Sequence, residues 1–182
     1  MLLKGCLHTH TTCSDGTMTP QEVATAYEER GYDFIAFTDH DYLLNSKNSK
    51  LYAGVRTDLI IFHGIEMTVF RKGYLHISRI RGNRETLHVL NHIGDYHLNL
   101  EQIWDRLAFL EKQFPIDVIE ITSKGFRQEE FERAELPYPK IASDDSHTGQ
   151  GIGRAWIELD TPRDKDSILK AIKRGEFWNC YV

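Results

Sequence analysis

The sequence predicts an α/β fold, a mostly parallel sheet rolled into a trimmed or irregular barrel. Three observations carry this. Short continuous apolar runs alternate with stretches of helical period. Histidines and carboxylates stand at or just beyond the ends of those runs, where the C-terminal ends of parallel barrel strands would bring them to one mouth. The chain has 182 residues, short of the ~250 that a full eightfold barrel needs.

Element by element, Leu2 to His8 reads as the first strand. Thr19-Pro20-Gln21-Glu22 starts a helix, with Thr at the N-cap, Pro at the first helical position and Glu positioned to close a capping box. That helix runs to about Arg30 and stops at Gly31. Phe34 to Thr38 is apolar enough for a strand buried on both faces. Asp41 to Val55 is polar and irregular, with room for a helical turn. Leu59 to Phe62 leads into Gly64-Ile65-Glu66 as a buried strand, and Tyr74 to Ile80 pairs back after Arg71-Lys72-Gly73. Leu87 to Asn91 is the next barrel strand. Asn99 caps a helix reaching Gln113 with Ile103, Leu107 and Leu110 on one face. Ile116 to Ile121, Lys140 to Ser143 and Ile152 to Leu159 are further strands. Thr161-Pro162-Arg163-Asp164 starts a last helix to Arg174, and Phe177 to Tyr181 closes the chain as a strand.

The sequence contains no repeat, no low-complexity stretch and no linker, so residues 1–182 read as one domain, long enough to bury a core unaided. Hydrophobic content of 41% and charged content of 27% are those of an ordinary globular protein. No apolar run approaches the ~20 residues needed to span a bilayer, and no signal-peptide pattern opens the chain. Three cysteines without CxxC spacing argue against a disulfide framework. These features predict a cytoplasmic protein with reduced thiols and no membrane partner. Cys13 lies in the loop from His10 to Asp15, but oxygen and imidazole donors already abound there. The net charge of −5 counts against a dedicated nucleic-acid binder. The tryptophans Trp104, Trp156 and Trp178 are expected in the core.

The chemistry lies in the groups at the strand ends: Leu7-His8-Thr9-His10 with Asp15, Thr38-Asp39-His40-Asp41, Gly64-Ile65-Glu66, Leu75-His76-Ile77, Asn91-His92-Ile93-Gly94-Asp95 and Ser143-Asp144-Asp145-Ser146-His147. On a strand, residues i and i+2 share a face, so His8 and His10 can hold one ion together, as can Asp145 and His147. Glu66 suits a bridge between ions, because a carboxylate offers two oxygens where an imidazole offers one lone pair. A single HxH or DxH pair means little; six groups in strand-end positions would be very costly to bury together without metal. Asp39 and Asp144 face away from their ligand neighbours and are expected to orient them by hydrogen bonds. His63, His88 and His97 sit in no matched motif and are expected to be ordinary core or surface residues. His88 shares a face with His92 if that strand continues, and His97 is close enough in sequence to reach the site's rim.

The ordered set LHTHTTCSDG, FTDHD, GIEMT, LHI, LNHIGD and SDDSH resembles the PHP (polymerase and histidinol phosphatase) superfamily of metal-dependent phosphoesterases. The resemblance runs from His8 to the closing strand. It implies a distorted (β/α)7 barrel holding two to three divalent ions, manganese, iron or zinc. Carried over position by position, it implies His8, His10, Asp15, His40, Glu66, His76, His92, Asp145 and His147 as ligands, and every one of these is a competent donor. Ile93 stands where the family often has proline. Only fifteen residues lie between His76 and His92, too few for the cap that some relatives insert there, so an open site is expected.

The activity implied is hydrolysis of a phosphoester by a hydroxide shared between two ions, with arginines neutralising the phosphoryl oxygens. Arg79, Arg81 and Arg84, between two ligand histidines, and Arg154, just after His147, are the clamp candidates. Lys124 is a weaker one. A small phosphorylated substrate, a phosphomonoester or small nucleotide, is the first expectation. A nuclease acting on short or single-stranded nucleic acid is the second, and a non-catalytic metal-binding accessory module the third.

Overall fold

A computed structural model describes all residues, Met1 to Val182. In chain order the elements are β1 (Leu2–Thr9), α1 (Pro20–Glu28), β2 (Phe34–Phe37), α2 (Asn48–Ala53), β3 (Ile60–Phe70), β4 (Tyr74–Arg81), β5 (Thr86–Leu90), α3 (Leu100–Leu110), β6 (Val118–Glu120), β7 (Thr122–Ser123), β8 (Phe126–Arg127), α4 (Glu129–Arg133), β9 (Lys140–Ile141), β10 (Ala155–Asp160), α5 (Lys165–Lys173) and β11 (Trp178–Tyr181). Nine strands form one sheet in the order β11-β10-β1-β2-β3-β4-β5-β6-β9, while β7 and β8 form a separate hairpin. An isolated parallel bridge from Thr9 of β1, third in the row, to Ser146, just past β9 at its far end, closes the sheet at the site's mouth. Farther down, Asn179 of β11 accepts from Ala142 N at 2.8 Å and donates to Lys140 O at 2.8 Å, covering the open edge of β9. The sheet is therefore a nearly closed barrel, as expected.

It is not mostly parallel. β1/β2, β2/β3, β5/β6 and β6/β9 pair parallel, whereas β1/β10, β10/β11, β3/β4 and β4/β5 pair antiparallel. At β3/β4 and β4/β5 tight turns leave no room for a crossover helix, whereas β10 and β11 pair antiparallel although α5 lies between them. Lys72 and Gly73 both take positive φ in the β3–β4 turn. The β4–β5 turn is pinned from outside by Asp166 of α5, whose carboxylate accepts from the backbone N–H groups of Asn83, Arg84 and Glu85.

The helices begin where their caps dictate. Thr19 with Glu22 and Asn99 with Gln102 both form complete capping boxes. The last helix starts later than expected: Asp164, not Thr161, is its N-cap and accepts from Ser167 N at 3.0 Å. The short α4 and the β7–β8 hairpin carry no periodic signal in the sequence.

The barrel's lower interior is filled by Leu3, Leu7, Phe34, Phe62, Ile80, Leu87 and Val118, and plugged from below by Ile168, Leu169 and Ile172 of α5. Each such side chain contributes about 1.5–3 kcal/mol by leaving water. Outside, α1 packs Val23, Ala24 and Tyr27 on Cys6, Ile35 and Phe37. The Ile103-Leu107-Leu110 face of α3 packs on Leu75, Ile77, Leu90 and Ile119. Trp104 and Trp178 are exposed, not core residues; only Trp156 is partly buried, edge-on to Tyr32. No helix is long and apolar enough to cross a membrane.

Candidate metal centre

A β-bulge sets the site's first ligands. Between β1 and β2 the pairing advances from Cys6–Ile35 to Thr9–Phe37, three residues against two. The extra residue switches the phase of β1, so Leu3 and Leu7 fill the core while His8 and His10 also enter the interior. Beyond His10 the chain loops back tightly. A side chain at Gly16 would meet the backbone of His10 at 2.7 Å, so only glycine permits the return that presents Asp15. His40 follows β2, Glu66 lies within β3, His76 lies on β4, His92 follows β5, and Asp145 and His147 follow β9.

All nine expected ligand positions converge. Nε2 of His8 and Nε2 of His10 lie 3.1 Å apart. Glu66 Oε1 is 3.3 Å from His8 Nε2, His76 Nδ1 and His92 Nε2. Its other oxygen is 3.3 Å from His10 Nε2 and 3.0 Å from His40 Nδ1. Asp145 Oδ1 lies 3.2 Å from His10 and 3.4 Å from His8. Asp15 lies within 3.5–3.6 Å of His10, His40 and His147. Three overlapping groups result: His8, His10 and Glu66; His40, Glu66 and His76; and His10, Asp15, His40 and His147.

These residues fit divalent cations. Nδ1 of His10, His40, His76 and His92, and Oε2 of Glu66, are buried without hydrogen-bond partners. Orphaned lone pairs are expensive in a protein interior unless something electropositive meets them. The donor set, imidazole plus carboxylate, suits zinc, iron or manganese. The carboxylates are ready to ligate. Although burial opposes its charge, the imidazole of His8 and the close approach of His10 and His76 hold Glu66 well below the usual range. Asp145 is lowered in the same way, by His8 and His10 against its burial. Burial pulls His10 down, but the carboxylates of Asp145 and Glu66, 3.2 and 3.3 Å away, outweigh it and hold the imidazole at about 9.

A second layer of carboxylates fixes the ligands. Asp39 turns away from the cluster and accepts from Thr11 N, Thr11 Oγ1 and Ser14 Oγ at 2.8, 2.8 and 2.6 Å, and from the Tyr52 hydroxyl. It thus ties down the loop that carries Asp15. Asp144 accepts from the backbone of Gly153, Arg154 and Ala155 and from the Tyr27 hydroxyl. Two residues that sequence reasoning missed complete the layer. Glu120, fully buried at the end of β6, accepts from His8 Nδ1 at 2.8 Å and His92 N at 3.1 Å. Its partners lie far away in sequence, and its only signal is a carboxylate ending an apolar strand, as at Glu66. Asn91 donates from Nδ2 to Glu66 Oε1 at 2.7 Å and to Ser78 Oγ at 2.9 Å.

The cavity over the cluster, about 510 Å³, is also lined by Asp95, Lys124 and Arg154, and by no hydrophobic residue. Lys124 arrives on the β7–β8 hairpin, whose turn takes positive φ at Lys124 and Gly125. Arg154 Nη1 donates to Lys124 O at 3.2 Å, and its guanidinium lies 4.8 Å from the Phe126 ring. Arg79 is not part of this cavity, which corrects its assignment as a clamp. His76, Ser78 and Ile80 point inward on β4, so Arg79 points outward with the α3-facing residues and lines a separate cavity with His63 and Arg81. Arg84 stands in the β4–β5 turn held by Asp166. His88 also faces out, 6.0 Å from the Phe114 ring, because β5 ends at Leu90 and His92 has left the strand. His97 does not line the cavity.

Among proteins of known description, 46 residues are 44% identical to the DNA polymerase/3'-5' exonuclease PolX of Bacillus subtilis (strain 168). The match covers 25% of this chain and 8% of that protein. Among solved structures, one similar chain is a two-domain protein from Bacteroides vulgatus containing a predicted PHP-like metal-dependent phosphoesterase. It superposes with a TM-score of 0.74 at 16% identity, over 100% of this chain and 65% of that one. PsfC from Pseudomonas syringae gives 0.71 at 14% identity, over 100% and 92%. An amidohydrolase from Chromobacterium violaceum, solved with bound sulfate and no metal, gives 0.68 at 15%, over 96% and 97%. At these identities the likenesses speak for the fold. The profile of the PHP-associated family matches residues 127–177. The PHP domain profile matches residues 7–144, from within β1 to just past β9, and this chain belongs to the PHP domain family.

Proposed function

We propose that the protein is a metal-dependent phosphoesterase whose substrate is a small phosphomonoester. The observation that carries this is one cavity without hydrophobic lining in which seven of the nine donors (Asp15, His40, Glu66, His76, His92, Asp145 and His147) meet the cationic pair Lys124 and Arg154, with His8 and His10 adjoining them in the cluster. Glu66 directs its two oxygens at different histidines, which supports at least two ions; the three overlapping groups support a third. Bound divalent ions supply Lewis-acid polarisation of the phosphoryl group and acidify water. Asp15, His40 and His147 hold one side of the cluster, and His8, His10, Glu66, His76, His92 and Asp145 the other. Arg154, steadied by the Lys124 carbonyl and the Phe126 ring, binds phosphoryl oxygens through its planar fork, and Lys124 adds a point charge. Residues 1–182 act as one catalytic unit, since β10 and β11 pair beside β1.

A nuclease is the second reading, favoured by the short similarity to PolX and disfavoured by the net charge of −5. The deciding experiment measures hydrolysis by metal-quantified protein with added manganese. Its substrates are a chromogenic phosphomonoester, a phosphodiester and a labelled oligonucleotide, with Asp145→Ala and Glu66→Ala alongside. Turnover of the monoester, lost in both variants, is expected. Turnover of the oligonucleotide alone would select the nuclease. Metal binding without turnover of any of the three would refute the phosphoesterase reading.

A further inference from the structure

On the outer wall of the barrel, between α2 and the β3–β4 hairpin, lies a cavity of about 370 Å³ that shares no residue with the metal cavity. Phe62 and Glu66 face inward on β3, so His63 and Ile65 face out, and the register sets them beside Arg81 and Arg79 of β4. The hairpin that presents Glu66 to the ions on one side thus presents two arginines and a histidine on the other.

The nine residues lining this cavity include no carboxylate. That is unusual in a chain with 27 acidic residues against 22 lysines and arginines. Elsewhere Arg127, Arg133 and Arg174 each pair with a glutamate. Arg79 and Arg81, two positions apart on one strand face, stand roughly 7 Å apart and meet no acid in the cavity. Arg79 Nε is also buried without a hydrogen-bond partner, and a charged donor left unmet in the interior is costly. The surroundings are positive: burial first, and then the Lys165 ammonium, hold the His63 imidazole below its ordinary value. From the other side α2 contributes the side chains of Asn48 and Ser49 to the lining. Tyr52 of the same helix stands edge-on to His63, with ring centroids 5.6 Å apart, and its hydroxyl donates to Asp39.

A carboxylate has two oxygens in one plane and is satisfied by a single guanidinium fork. Donors arriving from β3, β4 and α2 suit an anion with oxygens on several sides. We propose that Arg79, Arg81 and His63, with Asn48 and Ser49 across from them, form a second site, outside the metal centre, for a tetrahedral dianion: inorganic phosphate or the phosphoryl group of a larger molecule. The bound anion takes no part in turnover. It bridges the hairpin to α2 and so reinforces the helix whose Tyr52 holds Asp39. The site stands whether or not the metal centre hydrolyses phosphoesters.

The experiment titrates inorganic phosphate, and separately methylphosphonate, into zinc-loaded protein carrying isotope-labelled arginine, with sodium chloride holding the ionic strength constant. Arg79→Lys, Arg81→Lys and Arg154→Lys each remove one Nε–H signal from the NMR spectrum and so assign it. The Arg79 and Arg81 signals should move together and half-saturate at about 1 mM or below, in wild type and in Arg154→Ala alike. In Arg81→Ala the Arg79 signal should need roughly tenfold more phosphate, the worth of one charge-assisted hydrogen bond. Saturation by both ligands identifies a phosphoryl group and saturation by phosphate alone the free ion; either supports the site. Movement that chloride reproduces, movement of the Arg154 signal alone, or an unchanged half-saturation in Arg81→Ala overturns it. Thermal melts give a readout that needs no assignment. At ten times its half-saturating concentration, phosphate should raise the melting temperature of wild type and Arg154→Ala by about 3–6 °C over chloride. Arg79→Ala combined with Arg81→Ala should lose that gain, and an undiminished gain there also overturns the site.

Discussion

Replacing Glu120 tests whether a residue that touches no substrate sets the metal centre. One oxygen, Oε2, takes the Nδ1–H of His8 at 2.8 Å and the backbone N–H of His92 at 3.1 Å, and the other is 3.3 Å from Thr122 Oγ1. A proton held on Nδ1 leaves Nε2 of His8 as a lone pair facing Glu66 and Asp145. In Glu120→Gln the side chain keeps its volume and one carbonyl oxygen can take both donors, while the amide group reaches Thr122. What is lost is the charge assistance, about 1 kcal/mol of fold stability by the difference between charged and neutral hydrogen bonds. His8 also becomes less basic, so metal affinity should fall by roughly 10–100-fold. Glu120→Ala strands two buried donors at about 1–3 kcal/mol each and should cost roughly 2–6 kcal/mol, enough to unfold a marginal domain. The glutamine variant is therefore the informative one. Competition with a chromogenic chelator gives its affinity for zinc, and a thermal melt of the metal-free protein gives its stability. A folded Glu120→Gln protein binding zinc within about twofold of wild type would show that this carboxylate does not govern His8.

Other consequences are as definite. Arg154→Ala should raise KM for a phosphomonoester about 10-fold or more, because its fork is the clamp. Arg79→Ala, outside the cavity, should leave kinetics within about twofold; a large effect there would return Arg79 to the site. Asp39→Ala removes the acceptor of Thr11 N, Thr11 Oγ1 and Ser14 Oγ, so chemical denaturation should report a loss of about 3 kcal/mol or more, and an undiminished midpoint would deny Asp39 its anchoring role. Without metal, His10 is held at about 9 by Asp145 and Glu66 against the pull of burial. Its contribution to stability is complete below the unfolded value of about 6.5 and is lost as pH rises through about 9. Glu66 and Asp145 are lowered despite burial, so their contribution is complete above about pH 4.5 and lost on acidification. The metal-free protein should be most stable between about pH 4.5 and 6.5. Manganese should also raise its melting temperature more at pH 8 than at pH 6, since protons compete with metal for His10; equal increments at both would refute this.

Most of the ligand positions were legible because they stand at or just past the end of an apolar run, although Glu66 and His76 lie inside β3 and β4, and a strand long enough to recognise also announces its end. The two capping boxes were legible because their partners lie three residues apart. What escaped depends on distance or phase. Glu120 meets His8 across 112 residues, and Asp166 pins a turn more than 80 residues away. No local pattern records either. The β1 bulge is likewise silent, since Leu7 and His8 cannot both face inward on a regular strand. Arg79 was avoidable: with His76 as an inward ligand, period two places Ser78 and Ile80 inside and Arg79 outside. The antiparallel pairs β3/β4 and β4/β5 followed from turns. Arg71-Lys72-Gly73 reads as a hairpin, but the β4–β5 turn contains only one glycine and depends on Asp166.

The buried acids that do not face the cluster explain how these loops hold their shape. His92 has φ 27° and Asp145 φ 45°, left-handed conformations that non-glycine residues adopt at a cost of about 1–3 kcal/mol each. Both are ligands, and both are held from outside. The strained amide of His92 donates to Glu120. Asp145 follows Asp144, which is fastened to three backbone N–H groups of the 153–155 segment and to Tyr27. The segment leading to Asp15 depends on Asp39 in the same way. Each ligand-bearing turn thus has its own non-ligand carboxylate, and strain and cluster repulsion are borne by hydrogen bonds that persist whether or not an ion is bound. Such a centre is preorganised: metal capture neutralises charge without first having to fold a loop. Removing Asp39, Glu120 or Asp144 should therefore loosen the ligands one loop at a time, while removing a ligand should leave the loops in place.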